Sequence, residues 1–182
     1  HDSSIARLRE LRARYIHPDS DLIISTGDTP TCSTMDQFEG VDEIRPGNFV
    51  FYDVTQKHIG SCGYEDIAVA LACPVVAKHV ERLEIIVYGG GVHFSKDRLA
   101  VNGKLNFGKP VRLEQEGWRM KYDDSNFVSK LSQEHGTIQV KRDVFDEYEI
   151  GDLIGVLPVH SCMTADLMKE YSLLEGARIS RL

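Results

Sequence analysis

The sequence predicts a mainly β protein, in which a barrel- or sandwich-like β domain follows a single α/β segment. Two observations carry that prediction. From about Val41 onward, β-branched and aromatic runs of strand length are separated by Gly, Pro and Asn turn signals. Ahead of that boundary a helical pattern, a short unalternated apolar run and a hydroxyl-rich loop follow one another, as they do at the end of an α/β unit.

Ser3 or Ser4 is placed to cap a helix that carries Ile5, Leu8, Leu11 and Tyr15 on one side and Arg7, Arg9, Arg12 and Arg14 largely around the other. His17-Pro18 stops it, because the residue before a proline is pushed out of the helical region. After the turn signal Asp19-Ser20-Asp21, the run Leu22-Ile23-Ile24 reads as a strand buried on both faces, the pattern of a parallel sheet. It leads into Ser25-Thr26-Gly27-Asp28-Thr29-Pro30-Thr31-Cys32-Ser33, a loop at the strand's carboxyl end, where α/β folds place ligands. Arg45-Pro46-Gly47-Asn48 then forms a turn into a strand over residues 49–52. Residues 67–80, 83–88, 136–140 and 153–157 are the further strand segments of an all-β region. Gly103 and Gly117 punctuate its middle, and Glu175-Gly176 separates the arms of a closing hairpin. The composition shift divides the chain into residues 1–42 and 43–182.

Composition narrows the function classes. The chain has 182 residues with 21 Lys+Arg against 28 Asp+Glu, a net charge of −7 that argues against a nucleic-acid binder. A folded chain of this length hides roughly 70% of its unfolded surface, and 42% apolar residues are enough to build a core. No apolar run approaches the roughly 20 residues of a membrane-spanning helix. Residues 1–14 lack the apolar centre of a secretory signal. The four cysteines, Cys32, Cys62, Cys73 and Cys162, form no CxxC pair or regular framework, which suits a reducing, cytoplasmic compartment. The chain opens without Met directly into a helical pattern and reads as a piece of a longer protein.

The sharpest local signal is Leu157-Pro158-Val159-His160-Ser161-Cys162-Met163-Thr164. In an extended chain residues i and i+2 point to the same side, so His160 and Cys162 would present an imidazole nitrogen and a sulfur together. That combination suits zinc, and two protein ligands leave positions open for water or substrate. A half-buried His beside an inert core Cys is the commoner cause of an isolated His-x-Cys. Residues 26–31 offer small residues, amides and threonine hydroxyls that can hold a single phosphate ester, especially if a helix starts near residues 33–36; an ordinary loop with Asx turns is the commoner cause. Glu134 and His135 lie in a polar cluster before a strand, where Glu134 can orient an imidazole or serve as acid/base and His135 can titrate near neutrality. An exposed turn explains that cluster equally well. Tyr88-Gly89-Gly90-Gly91-Val92-His93-Phe94-Ser95-Lys96-Asp97 leaves room for something flat on bare backbone, although a bend at a sheet corner is the commoner reason for such glycines.

Together the segments say more. The ordered set Gly27-Asp28-Thr29-Pro30-Thr31, Glu43-Ile44-Arg45-Pro46-Gly47-Asn48-Phe49-Val50-Phe51-Tyr52-Asp53, Leu131-Ser132-Gln133-Glu134-His135-Gly136 and Pro158-Val159-His160-Ser161-Cys162-Met163-Thr164 resembles the carboxyl-terminal half of the eukaryotic-type D-serine dehydratase family. That family of pyridoxal phosphate enzymes includes metal-dependent D-threonine aldolases and is related to alanine racemase. The resemblance implies that residues 1–42 are the last α/β segment of a truncated (β/α)8 barrel, with Gly27, Asp28, Thr29 and Thr31 near the cofactor phosphate. His160 and Cys162 match the family's zinc ligands, and Glu134 and His135 are the candidate catalytic or second-shell groups. D-threonine aldolases are expected to carry a carboxylate where Cys162 stands, which favours the dehydratase branch. Residues 88–97 depart from the expected Asp-Ala-Gly-type segment and leave the substrate open.

The resemblance further implies a small D-3-hydroxyamino acid substrate, a homodimer, and a cofactor-linked lysine upstream of His1. The lysines of this chain, from Lys57 to Lys169, all fall in the β region or its loops, so the chain alone is expected to be inactive. The expected reaction is dehydration of D-serine or a relative to a keto acid and ammonia. The alternatives are aldol cleavage of a D-3-hydroxyamino acid, or a non-catalytic β domain used for dimerisation.

Overall fold

The computed structural model describes residues 2–17 and 20–180. Helix α1 spans Asp2–Tyr15, so Ser3 and Ser4 lie within its first turn rather than ahead of it. Of its apolar side only Ile5 is buried; Leu8, Leu11 and Tyr15 face solvent. Of the breaker expected at His17-Pro18, Pro18 lies outside the described residues. The run at residues 22–24 is not the buried strand the sequence suggested. Leu22 and Ile23 are exposed, and only Ile24 is buried, its N–H held by the Asp42 carboxylate at 2.8 Å. Strand β1 is the pair that follows, Ser25–Thr26, and it runs parallel to β2, Glu43–Ile44. A parallel strand is buried on both faces only where helices cover both sides, and this short pair has no such cover. It straddles the position at which composition shifts.

Helix α2 (Thr29–Thr34) starts earlier than expected, because the Asp28 carboxylate accepts the Thr31 N–H at 2.8 Å and Pro30 occupies the first turn, where a missing N–H costs nothing. Residues 49–51 form a turn, not a strand. The Tyr52 N–H bonds back to the Asn48 carbonyl at 2.9 Å, and Tyr52 itself takes a left-handed φ of 48°. Asn48 and Asp53 bracket this turn and divert its backbone from sheet pairing. Asp53 then caps α3 (Val54–Ile59), which Gly60 closes at φ 95°.

There follow β3 (Leu71–His79), β4 (Glu84–Tyr88), the single-turn α4 (Gly91–Phe94) and the hairpins β5 (Leu99–Val101) with β6 (Lys104–Asn106) and β7 (Gly108–Glu114) with β8 (Gly117–Arg119). Strands β9 (Phe127–Leu131) and β10 (His135–Gln139), α5 (Arg142–Phe145), β11 (Leu153–Pro158), α6 (Ser161–Met168) and the closing hairpin of β12 (Glu170–Ser172) with β13 (Arg178–Ser180) complete the order. Seven strands form one antiparallel sheet in the order β8-β7-β11-β3-β4-β10-β9. The sheet curls until the Phe107 N–H reaches the Val128 carbonyl at 2.9 Å, but its edge strands β8 and β9 do not pair, so it is a curved open sheet and not a closed barrel. Trp118, next to the turn signal Gly117, lies in β8. The four short helices α3 to α6 interrupt what the sequence presented as an all-β region.

The larger of two buried clusters packs around β4. Ile85 and Val87 of β4 alternate inward against Val75, Val128, Ile138, Ile154 and Val156, all at 0–1% exposure. Strand β11, flanked by β7 and β3, is buried from Ile154 to Pro158 and delivers the chain straight into α6. Lys109 of β7, 2% exposed, points its ammonium to the Asp124 carboxylate at 2.9 Å and the Asp123 carbonyl at 2.6 Å. No helix of the described residues is long and apolar enough to cross a membrane. Because Ile154 is sealed on every side, Ile154→Ala is expected to lower stability by about 2–5 kcal/mol in urea denaturation.

Candidate functional site

Asp53 is 1% exposed, and its carboxylate gathers three donors: the Gln56 N–H at 2.8 Å, the Ser161 N–H at 3.1 Å and the Asn48 side-chain amide. Gln56 lies in α3 and Ser161 opens α6, so one negative charge sits at two helix N-termini, where unpaired N–H groups and the helix dipole favour it. Asn48 extends the network. Its Oδ1 accepts the Ser161 hydroxyl at 2.6 Å, and its backbone N–H donates to Thr29 Oγ1 at 2.8 Å. Thr29, Asn48, Asp53 and Ser161 are all buried. Thr55 adds a tie from α3, its hydroxyl donating to the Val159 carbonyl at 2.7 Å.

This network sets His160 and Cys162. The sequence argument placed both on one side of a strand; the structure ends the strand at Pro158, leaves His160 extended (φ −135°, ψ 99°), and starts α6 at Ser161. The pair is therefore a helix cap and the second residue of the helix it precedes, and strand alternation does not govern it. His160 Nδ1 lies 2.7 Å from Asp97 Oδ2. With the carboxylate oxygen as acceptor, Nδ1–H is the donor of this bond, which leaves Nε2 for a further partner. Cys162 Sγ lies 3.9 Å from the Gly47 carbonyl, and its pKa is raised, by burial first and by the Asp53 charge second. Among the described residues, no group of three or more His, Cys, Asp and Glu side chains is arranged to hold a metal ion. An imidazole nitrogen and a sulfur beside open solvent nevertheless form a donor set that fits a catalytic zinc, which keeps positions for water and substrate.

Glu134 and His135 close the β9–β10 loop and are exposed. The glycine run packs on this loop. Gly89 N–H donates to the Glu134 carbonyl at 2.9 Å, Gly91 N–H to Ser132 at 2.9 Å and Val92 N–H to Gln133 at 3.1 Å. A Cβ on Gly90 would fall 2.5 Å from the Glu134 carbonyl carbon, so the approach needs a bare backbone. Tyr88 stands edge-on to His93 at 4.9 Å and to His135 at 5.9 Å. His93 Nδ1 accepts the Gly90 N–H at 3.1 Å, and partial burial lowers its pKa while the Glu134 charge opposes that shift. The same segment continues to Asp97, and Phe94 rests on α6, its carbonyl accepting the Thr164 hydroxyl at 3.5 Å. The Ser132, Gln133 and Glu134 carbonyls thus hold the backbone segment that leads to Asp97. Asp97, Asn48, Asp53 and Ser161 received no role from the sequence, although three of them stand inside the motifs that carried the resemblance and Asp97 closes the glycine-rich segment.

The four loop residues divide by task. Gly27 closes against β2, where an added Cβ would lie 2.3 Å from the Arg45 carbonyl oxygen. Asp28 caps α2, and Thr29 joins the buried network. Thr31 gives its N–H to Asp28. One turn on, the Ser33 hydroxyl meets the Tyr52 hydroxyl at 3.0 Å.

The serine dehydratase domain family matches residues 68–174, from the strands of the large sheet through α6 to the closing hairpin. The chain belongs to that family. It is 33% identical over 166 residues to a D-serine dehydratase of Dictyostelium discoideum, covering 84% of this chain and 39% of that protein. The fold matches D-threo-3-hydroxyaspartate dehydratase from Delftia sp. HT23 with a TM-score of 0.78 at 25% identity, over 98% of this chain and 48% of that one. It matches an alanine racemase-like protein from Idiomarina loihiensis with a TM-score of 0.77 at 25% identity, over 94% and 45%. The chain spans about two fifths of the length of the curated relatives it matches. D-threo-3-hydroxyaspartate dehydratase has also been solved as a histidine-to-alanine variant and, in a metal-free form, as a cysteine-to-alanine variant; the two replaced residues stand two positions apart.

Burial disfavours the charged His93 ring, so its NMR titration is expected to have a midpoint below the ordinary 6.5. Glu134 raises that pKa, so Glu134→Gln is expected to move the midpoint lower still.

Proposed function

We propose that this chain is the carboxyl-terminal part of a pyridoxal phosphate- and zinc-dependent dehydratase that converts D-serine or a related D-3-hydroxyamino acid to a keto acid and ammonia. The observation that carries the reading is the buried connection from Thr29 through Asn48 to Asp53 and Ser161. A cofactor phosphate and a metal that serve one small substrate must be held in a fixed relation. This network fastens the hydroxyl loop to the residue between His160 and Cys162. The similarity to dehydratases of D-serine and of D-threo-3-hydroxyaspartate supports the substrate class, and the two-position spacing of the histidine and cysteine replaced in D-threo-3-hydroxyaspartate dehydratase supports the His-x-Cys pair.

In this reading Thr29 and Thr31 give hydroxyl hydrogens to the phosphate. Thr29 Oγ1 is aligned for this by accepting the Asn48 N–H, which leaves its own hydrogen to donate. Asp28 repels a phosphate and acts through the cap it makes on α2, while Gly27 keeps the turn tight. His160 Nε2 and Cys162 Sγ would hold the zinc. When bound, pyridoxal phosphate would supply an electron sink for charge at the substrate Cα and zinc a Lewis acid for the β-hydroxyl. Glu134 and His135, next to His93 and Tyr88, exchange protons with the substrate side of the pocket or steady the groups that do. Residues 1–42 are the end of a (β/α)8 barrel, residues 43–182 the β domain, and the lysine that links the cofactor lies upstream. Lys109 fits that role poorly, since its buried ammonium is already bound to Asp123 and Asp124. The protein works as a homodimer in the cytoplasm, where its four free cysteines stay reduced.

Zinc analysis of the intact protein is expected to show metal in the wild type and its loss in His160→Ala and Cys162→Ala; equal zinc in all three would remove the metal pair. Incubation with D-serine and D-threonine is expected to release keto acid and ammonia, sensitive to chelation. Glycine and an aldehyde without keto acid would replace dehydration by aldol cleavage. After borohydride reduction with pyridoxal phosphate, mass spectrometry of the 182-residue chain is expected to show no lysine adduct.

A further inference from the structure

We propose that Asp97 is the positioning residue of the metal site: it holds the Nδ1–H of His160, fixes the rotation and tautomer of the ring, and so aims Nε2 at the metal. The inference rests on the reading of His160 and Cys162 as metal donors. His160 sits at the N-cap of α6, yet its side chain makes no capping hydrogen bond, and the ring is 44% exposed. A side chain in that setting has two free torsions. Among the described residues its one fixed point is the 2.7 Å bond to Asp97, which comes from a segment 63 positions away.

Three features deliver that carboxylate. The β9–β10 loop holds α4 through the backbone bonds of Gly91 and Val92, and α4 in turn meets α6 at Phe94 and Thr164. Ser95 then takes φ 69° and ψ −167°, a backbone region that side-chain-bearing residues avoid, and turns the chain back towards His160. The Asp97 N–H closes on the Ser95 hydroxyl at 3.2 Å. A strained serine is a poor investment for an ion pair half open to water, because such pairs add little to stability. It is well used if the carboxylate orients a ligand, since a metal-bound histidine depends on what its second nitrogen donates to.

The test is metal affinity in the intact protein, measured with Zn(II) and Co(II) against a chromophoric chelator for the wild type, Asp97→Ala, Asp97→Asn, His160→Ala and Cys162→Ala. Asp97→Ala is expected to weaken binding about 10–100-fold, with Asp97→Asn, which keeps an acceptor, in between. The urea midpoint is expected to stay unchanged, and the cobalt–thiolate absorption band to persist in both Asp97 variants but vanish in Cys162→Ala. Affinity within about twofold of wild type in Asp97→Ala, alongside loss in His160→Ala, overturns this inference and leaves the metal pair standing. Loss as complete as in His160→Ala makes Asp97 a ligand and overturns its positioning role. Undiminished binding in His160→Ala overturns both readings. Should Asp97→Ala fail to fold, Asp97→Asn carries the comparison under the same criteria.

Discussion

The rest of the site depends on one buried carboxylate. A carboxylate at 1% exposure loses nearly all of its hydration, and donors must replace the water it gives up. Asp53 finds three, and two of them are backbone N–H groups in the first turns of α3 and α6. Each charge-assisted bond of this kind is worth about 1.5–3 kcal/mol, and together they offset the burial. What they hold in place is a junction. The turn at residues 48–52, the start of α3 and the start of α6 all meet at Asp53, and Asn48 carries the connection on to Thr29 and the loop beside β1. His160 and Cys162 flank the residue that this carboxylate grips.

The scaffold behind the junction is stiff for a simple reason. Strand β11 lies between two other strands and is buried to its last residue, so the chain emerges from the core at a fixed point and turns into α6 within two residues. On the other side, the bare backbone of Gly89 to Gly91 lies on the β9–β10 loop closely enough to exclude a Cβ at Gly90. That contact brings Glu134, His135 and His93 together around Tyr88 and projects residues 95–97 towards His160. Exposed polar groups on short connections are thereby held by a rigid sheet, the usual division of labour between scaffold and functional loops.

Much of the β architecture was legible because strand burial leaves a period of two and hairpins need turn residues. Residues 83–88, 136–140 and 153–157 became β4, β10 and β11, Gly103 and Gly117 turn the two middle hairpins, and Gly176 turns the last one. Errors fell where side chains commandeer the backbone. Residues 49–52 are aromatic and β-branched, yet Asn48 and Asp53 fold them into a turn. Leu22 and Ile23 have the composition of an interior strand and face solvent, because composition does not reveal whether a covering layer is present. The helix starting at Ser161 was missed because an eight-residue element is too short to show its period.

For the site, the sequence by itself supplied the chemistry: an imidazole and a thiol two positions apart, a hydroxyl-rich loop without a basic side chain, and an acid beside a histidine, in an order that resembles one enzyme family. The tertiary structure decided the relations among them. It placed Ser161 and Thr29 on one buried polar network, made Asp28 a helix cap, and brought Asp97 across 63 positions to His160. Spacing along a chain reports only on neighbours a few residues apart, whereas hydrogen bonds between segments depend on how the sheet curves and where its strands release the chain. That curvature arises from packing the whole core at once, and no single motif encodes it.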